Sequence, residues 1–205
     1  MGLYSKYILP KVIHNICGLK PTMIQRSKIV PEASGNVLEI GIGSGLNMAY
    51  YDPDKVNYLV GIDPYPYSRG LDKSIEKSKI QFEFINESAE QLSMENTTFD
   101  TVVSTYTFCT IAQLDKSLSE IKRVLKPSGK LIFIEHGKAP DEKVQRTQNR
   151  INPIWKKIGG GCNLNRDIPK ILEKNGFKIN DLQSMYIPGW KPATFNFWGI
   201  GTTRY

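Results

Sequence analysis

The sequence predicts an α/β fold with helices on both faces of a mostly parallel, seven-stranded sheet. Three observations lead there. Short apolar runs alternate with stretches of helical periodicity, the pattern of strands joined by crossover helices. One such run, Val37–Ile40, empties into the glycine-rich turn Gly41–Gly45. The last two runs, "FKINDLQSMYI" and "FNFWGIGTTRY", are separated by one short loop, so they are expected to pair antiparallel.

The first five strands read as Val37–Ile40, Tyr58–Ile62, Gln81–Ile85, Thr101–Ser104 and Lys130–Glu135. Between them, helices are expected over Leu46–Tyr51, Ser68–Ser78, Ala112–Leu125 and Ile168–Lys174. In the third of these, Leu114, Leu118, Ile121 and Leu125 recur at helical spacing, and Gly176 closes the fourth. An earlier helix is opened by Pro10 and closed by Gly18, with Val12, Ile13, Ile16 and Cys17 as its apolar stripe. No internal repeat or low-complexity linker interrupts the pattern, and 205 residues suit one domain.

Composition excludes several classes. The three cysteines, Cys17, Cys109 and Cys162, are widely spaced and form no CxxC, so neither a disulfide framework nor a metal site is expected, and a reducing cytoplasm fits best. No apolar run reaches the roughly 20 residues of a membrane span, and "MGLYSKYILPKVI" lacks the features of a signal peptide. A soluble monomer is expected, at most peripheral to a membrane. The net charge of +7 is unevenly placed, with both flanks basic and the middle of the chain acidic.

The glycine turn bears on the cofactor, its other reading being a tight strand-to-helix turn with a solvated Glu39. Gly41, Gly43 and Gly45 read GxGxG, whereas the dinucleotide fingerprint GxGxxG/A would place its last small residue at position 46, which is Leu46. Glu39, two residues earlier, would repel a pyrophosphate but suits a ligand carrying an ammonium and a sulfonium, as S-adenosylmethionine does. Asp63 ends the second strand, where a carboxylate can accept both hydroxyls of an adenosine ribose. Ser88 and Ala89 leave the third strand where the adenine edge belongs, Thr105 and Tyr106 stand at the tip of the fourth, and Glu135 and His136 end the fifth.

In combination, Glu-x-Gly-x-Gly-x-Gly, the Asp-ended second strand and "FDTVVSTYTFCTIAQLDKSLSEIKRVLKPSGKLIFIEH" resemble the class I S-adenosylmethionine-dependent methyltransferases over Val37 to about His136. The resemblance implies a Rossmann-like seven-stranded sheet with its last pair antiparallel. It divides the single domain into an N-terminal helical cap (1–30), a cofactor-binding half (36–136) and an acceptor-side half (137–205). It also implies roles: Gly41, Gly43 and Asn47 against the methionine end, Asp63 with Pro64 at the ribose, and the Thr105 carbonyl facing the ammonium beside Tyr106. Tyr4 is expected to close a lid over the cofactor, while Tyr7 either joins it or staples the first helix. Where many relatives place an Asp for the adenine amine, this chain has Ser88.

The flanks "YILPKVIHNICGLKP" and "QNRINPIWKKIGGGCNLNRD", with "TFCTI", are similar to small methyltransferases related to the alkyl thiol S-methyltransferases and often labelled phospholipid methyltransferases. A small or lipid acceptor follows: a thiol first, a phosphatidylethanolamine amine as the alternative. His136 is the candidate catalytic residue, taking a proton from a thiol whose ordinary pKa is near 8.5; its other reading is a structural hydrogen bond. Cys109 reads as a small buried hydrophobe. Arg166 binds either an acidic acceptor group or a helix start. The N-terminal helix, Gln148–Asn165 and the aromatics Tyr186, Trp190, Phe195 and Trp198 are expected to wall the acceptor pocket. Nucleic acid is not an expected partner, since "STYT" stands where amino-directed nucleotide methyltransferases carry an Asn/Asp-Pro-Pro-aromatic run. A noncatalytic cofactor sensor is the remaining reading.

Overall fold

A computed structural model describes residues 9–203. Seven strands run through it: β1 (Gly35–Ile40), β2 (Val56–Ile62), β3 (Phe82–Ile85), β4 (Phe99–Thr105), β5 (Leu125–His136), β6 (Phe177–Tyr186) and β7 (Phe195–Thr203). They form one sheet in the order β3-β2-β1-β4-β5-β7-β6. The pairs among β1 to β5 are parallel, and β7 is antiparallel to both β5 and β6, so the C-terminal hairpin inserts its second strand beside β5. Chain direction out of the sheet reverses between β1 and β4, which opens a crevice at their carboxyl ends.

The helices are α1 (Leu9–Cys17), α2 (Lys20–Ile29), α3 (Arg69–Ser78), α4 (Leu114–Val124), α5 (Glu142–Ile158) and α6 (Ile168–Lys174). Two of them go beyond the sequence reading. α2 has no apolar stripe, and its buried residues are Gln25, Arg26 and Ile29. α5 carries Pro153 inside it, a residue that costs a helix one hydrogen bond and reads as a breaker. The helix expected over Leu46–Tyr51 is instead a run of turns, closed by Gly45 N to Ile42 O (2.9 Å), Met48 N to Gly45 O (3.1 Å) and Tyr50 N to Asn47 O (2.8 Å). Gly43 and Gly45 hold left-handed φ values of 54° and 74°, and this interrupts any right-handed helix at its start. The Pro-Ser-Gly turn lies within β5, where the register slips between Phe99↔Leu125 and Thr101↔Lys130.

Both faces of the sheet are buried, and successive side chains divide between them. Leu38, Val102, Leu131 and Phe133 pack with α4 and α6 residues such as Leu118, Ile121 and Leu172. Val37, Val103, Ile132 and Ile134 pack on the other side with Ile29, Met48 and Leu71. α1 lies over the crevice: His14 Nδ1 meets Ser44 Oγ at 2.6 Å, and Leu9 approaches the turn at Gly160. Among the described residues, no helix is long and apolar enough to cross a membrane.

The C-terminal loops are tied by one buried amide. Gln148 of α5 shares its amide hydrogens among the carbonyls of Gly137, Leu164 and Pro192, each at 2.9 Å, and accepts Ala139 N at 3.1 Å. Replacing it strands four buried backbone groups, each with a desolvation penalty. Gln148→Leu is therefore expected to lower unfolding free energy by about 2–4 kcal/mol in urea titrations.

Candidate active site

At the tip of β1, Glu39 is only 2% exposed. Its Oε1 accepts Asn47 Nδ2 at 2.9 Å and its Oε2 accepts the Tyr51 hydroxyl at 2.7 Å. Burial pushes the carboxyl up to about 7, against the opposing pull of the Tyr51 hydrogen bond, the Arg26 charge and the Asn47 hydrogen bond. Asn47 also donates to Thr105 Oγ1 at 3.0 Å. From α2, Arg26 donates through one terminal nitrogen to Asn47 Oδ1 (2.7 Å) and to Thr105 Oγ1, and its guanidinium lies 5.2 Å from the Tyr106 ring centroid. Arg26 is 4% exposed, and its Nε has no hydrogen-bond partner. The sequence reading missed this residue because α2 lacks periodicity. The signal available was Pro21 at a helix start followed by Pro31 just past its end.

The glycine loop passes over this network. Gly41 has φ 71°, and a Cβ there would sit 2.5 Å from Thr107 Oγ1, so only glycine fits between β1 and the loop after β4. A Cβ on Gly45 would meet Leu71 of α3 at 2.5 Å, whereas one on Gly43 would meet nothing closer than 4.0 Å. The third glycine thus lets the loop pack on α3, and the second leaves open space above the loop. Asp63 at the end of β2 accepts Gly43 N (3.0 Å) and Tyr65 N (2.9 Å); burial raises its pKa, partly offset by those two amides.

The other cofactor candidates take these positions. Pro64 is exposed beside Asp63, and Ser88 is exposed and turns its hydroxyl to Glu90 N at 3.2 Å, while Ala89 is buried in the core. The Thr105 carbonyl accepts Thr107 Oγ1 at 3.2 Å. Tyr106 adopts φ 55° and donates its hydroxyl to Asn196 Oδ1 of β7 at 2.6 Å. Tyr4 and Tyr7 lie outside the described residues. The structure therefore brings Glu39, Gly41, Gly43, Asn47, Asp63, Thr105 and Tyr106 around one crevice, whereas Ala89, expected at the adenine edge, packs in the core beside the sheet.

The tips of β4 and β5 form the adjoining wall. Glu135 is fully buried and accepts the amides of Thr107 and Phe108 at 2.7 Å and that of Cys109 at 3.3 Å; burial pushes its carboxyl up to about 7. Arg166 braces the same loop through the carbonyls of Phe108 and, at 2.7 Å, Ile111, which is a structural use rather than an acceptor contact. His136 Nε2 lies 3.1 Å from Cys162 Sγ, which also accepts Trp155 Nε1 at 3.3 Å. Cys109, His136 and Cys162 bring their ligand-type atoms within 4.8 Å of one another. A hydrogen bond from Cys109, then the His136 charge and hydrogen bond, hold the Cys162 thiol well below its ordinary pKa despite burial. Burial works against charge on His136, but the Cys162 sulfur outweighs it and the pKa is raised.

A seven-stranded sheet of this order, with a buried acid under a three-glycine loop and a second acid ending β2, defines the class I methyltransferase architecture. Comparison with known proteins agrees. Residues 38–133 match the family described as "Methyltransferase domain". The chain is 34% identical to a thiol S-methyltransferase of Homo sapiens over 203 residues, covering 93% of this chain and 82% of that one. It is 34% identical to one of Rattus norvegicus over 171 residues, covering 80% and 66%. The N-methyltransferase NodS of Bradyrhizobium japonicum, solved with S-adenosyl-L-homocysteine, shares the fold with a TM-score of 0.66 at 14% identity, covering 91% of this chain and 89% of its own. The chain belongs to the S-adenosylmethionine-dependent methyltransferases, and among its relatives are the thiol S-methyltransferases.

The residues present fit S-adenosylmethionine: an acid at the end of β2, open space above Gly43, and a buried, partnerless Arg26 Nε available to a carboxylate. Removing the acid with Asp63→Ala is expected to weaken cofactor binding by about 1–3 kcal/mol in calorimetry, because ribose hydroxyls lose their acceptor. Glu39 provides a pH test on the cofactor-free protein. Its folded pKa lies above the ordinary carboxylate value, so the folded state holds the extra proton between about 4.5 and about 7. The stability it contributes is full below that window and is lost as pH rises through it. Unfolding free energy measured from pH 4 to 8 should fall less steeply across the window in Glu39→Gln than in wild type.

Proposed function

We propose that this methyltransferase acts on a small, apolar thiol. The observation that carries the reading is that similarity to the human thiol S-methyltransferase spans 203 residues and so extends beyond the cofactor-binding half. The acceptor side is also rich in rings: Trp155 and Trp190 lie 5.6 Å apart, and Phe195 packs against Tyr186 at 4.9 Å and Phe197 at 5.0 Å. Such a wall favours an apolar body over a charged headgroup.

When bound, S-adenosylmethionine supplies an electrophilic methyl group on a positively charged sulfur. The chain's own residues hold and orient. Asp63 accepts the ribose hydroxyls, Arg26 offers Nε to the methionine carboxylate, and the buried Glu39–Asn47–Thr105 network fixes the loop beneath. Alignment supplies most of the acceleration, since a thiolate needs no further activation toward such a methyl group. What the site has to arrange is loss of the thiol proton. His136 is the candidate for taking that proton, and its Nε2 is committed to Cys162 Sγ.

Methyl-labelled S-adenosylmethionine offered with alkyl thiols, phosphatidylethanolamine vesicles, small phenols and bulk RNA should label the thiols, with saturation. His136→Ala should lower the thiol rate by at least tenfold while cofactor affinity stays within about twofold. Labelled lipid amine with unlabelled thiols would overturn the acceptor assignment and favour the phospholipid alternative.

A further inference from the structure

Three residues far apart in sequence meet at the acceptor side of the crevice. Cys109 follows β4, His136 ends β5 and Cys162 lies in the glycine turn after α5. We propose that Cys109 Sγ, His136 Nε2 and Cys162 Sγ form a three-ligand site for a thiophilic divalent cation, zinc by ligand softness, whose fourth position takes the sulfur of the acceptor thiol.

The donor set and its geometry support this. Two thiol sulfurs and one imidazole nitrogen are ligands that zinc prefers, and three protein ligands plus an open position are the arrangement of reactive rather than purely structural zinc. Thiolate sulfurs at about 2.3 Å and an imidazole nitrogen at about 2.0–2.1 Å from one tetrahedral ion stand roughly 3.6 Å from each other. The three atoms here lie within 4.8 Å of one another, and the His136 to Cys162 separation is 3.1 Å, so displacements of about an ångström or less seat an ion. Trp155 Nε1 already donates to Cys162 Sγ at 3.3 Å, the kind of outer contact that orients a thiolate ligand.

Cys109 Sγ donates to the Tyr106 carbonyl at 3.6 Å, a contact a metal would replace, but most of what holds the loops that present these atoms does not involve the sulfurs. Asn163 donates both its backbone N and its Nδ2 to the Cys109 carbonyl at 2.9 Å, and Nδ2 also donates to Gly161 O at 2.8 Å. Glu135 accepts the amide of Cys109, and Arg166 grips the carbonyls on either side of it in the chain. Backbone contacts therefore hold two cysteines 53 positions apart at one point, a preorganised ligand pair rather than an accident of side-chain packing. His136 Nδ1 is buried with no partner, so the ring makes its one polar contact within the cluster.

The inference rests on the thiol reading and supplies its missing step. On binding, the acceptor S–H bond breaks, its proton passes to solvent, and the sulfur stays on the metal as thiolate. Its lone pair then forms the new S–C bond to the methyl carbon as the sulfonium S–CH3 bond breaks, with that electron pair remaining on the cofactor sulfur. No electron is gained or lost overall, and the neutral thioether, a poorer ligand, departs.

Tag-free enzyme from zinc-supplemented culture should contain about one zinc per chain by mass spectrometry of the metal. Cobalt exchanged into it should show thiolate-to-metal absorption in the near ultraviolet. Cys109→Ser, Cys162→Ser and His136→Asn, checked by circular dichroism, should each lower zinc content at least tenfold, while Cys17→Ser should not. Should a variant misfold, chelator-treated wild type provides the test: one equivalent of zinc should protect two of its three thiols from a thiol reagent in the native state. The proposal is overturned if wild type takes up no zinc at tenfold excess, if the three variants retain it, or if Cys109 and Cys162 are found joined as a disulfide in the active enzyme. Zinc binding without thiol methylation would reject the acceptor reading and leave the metal site standing; thiol methylation without zinc would do the reverse.

Discussion

The buried carboxylate of Glu39 is the constraint around which the cofactor crevice is organised. An ionisable group removed from water has to be satisfied by its surroundings, and here each oxygen has one donor, Asn47 and Tyr51. Those donors come from the loop after β1, and Asn47 is held in turn by Thr105 of β4 and Arg26 of α2. One acid thus draws α2, the loop after β1 and the tip of β4 onto a common point. Removing any member leaves another buried polar group unpaired, which is why the network behaves as a unit.

A second buried acid plays the matching part at the tips of β4 and β5. Glu135 accepts three successive backbone amides after β4 and so fixes a loop that has no regular ladder of its own. Gln148, Asn163 and Arg166 do the same for the carbonyls of the loops around it. The first half of the chain derives its order from sheet and helix packing. The C-terminal half relies on polar side chains bonded to backbone, a construction in which loop shape can change without disturbing the sheet.

This division also explains why cofactor and acceptor differ in legibility. The cofactor candidates stand where strand ends converge, and strand ends are positions that local pattern identifies. Methyl transfer from a sulfonium asks for alignment and a free nucleophile lone pair, not for a fixed catalytic dyad. Many walls can therefore serve it, and no local pattern singles one out.

By itself the sequence determined the strand set, the antiparallel C-terminal pair, and the acids and glycines at the tips of β1 and β2. These follow from two-residue and 3.6-residue periodicity and from backbone freedom that only glycine has. The tertiary structure alone decided three things. It turned Leu46–Tyr51 into successive turns, because left-handed glycines precede it. It made helices of α2 and α5, where the absence of a stripe and the presence of Pro153 argued otherwise. And it brought Arg26 to Asn47 and Cys162 to His136 and Cys109. Those last encounters join residues tens of positions apart through loops whose paths are set by hydrogen bonds to distant backbone, and no local period encodes a distance of that kind.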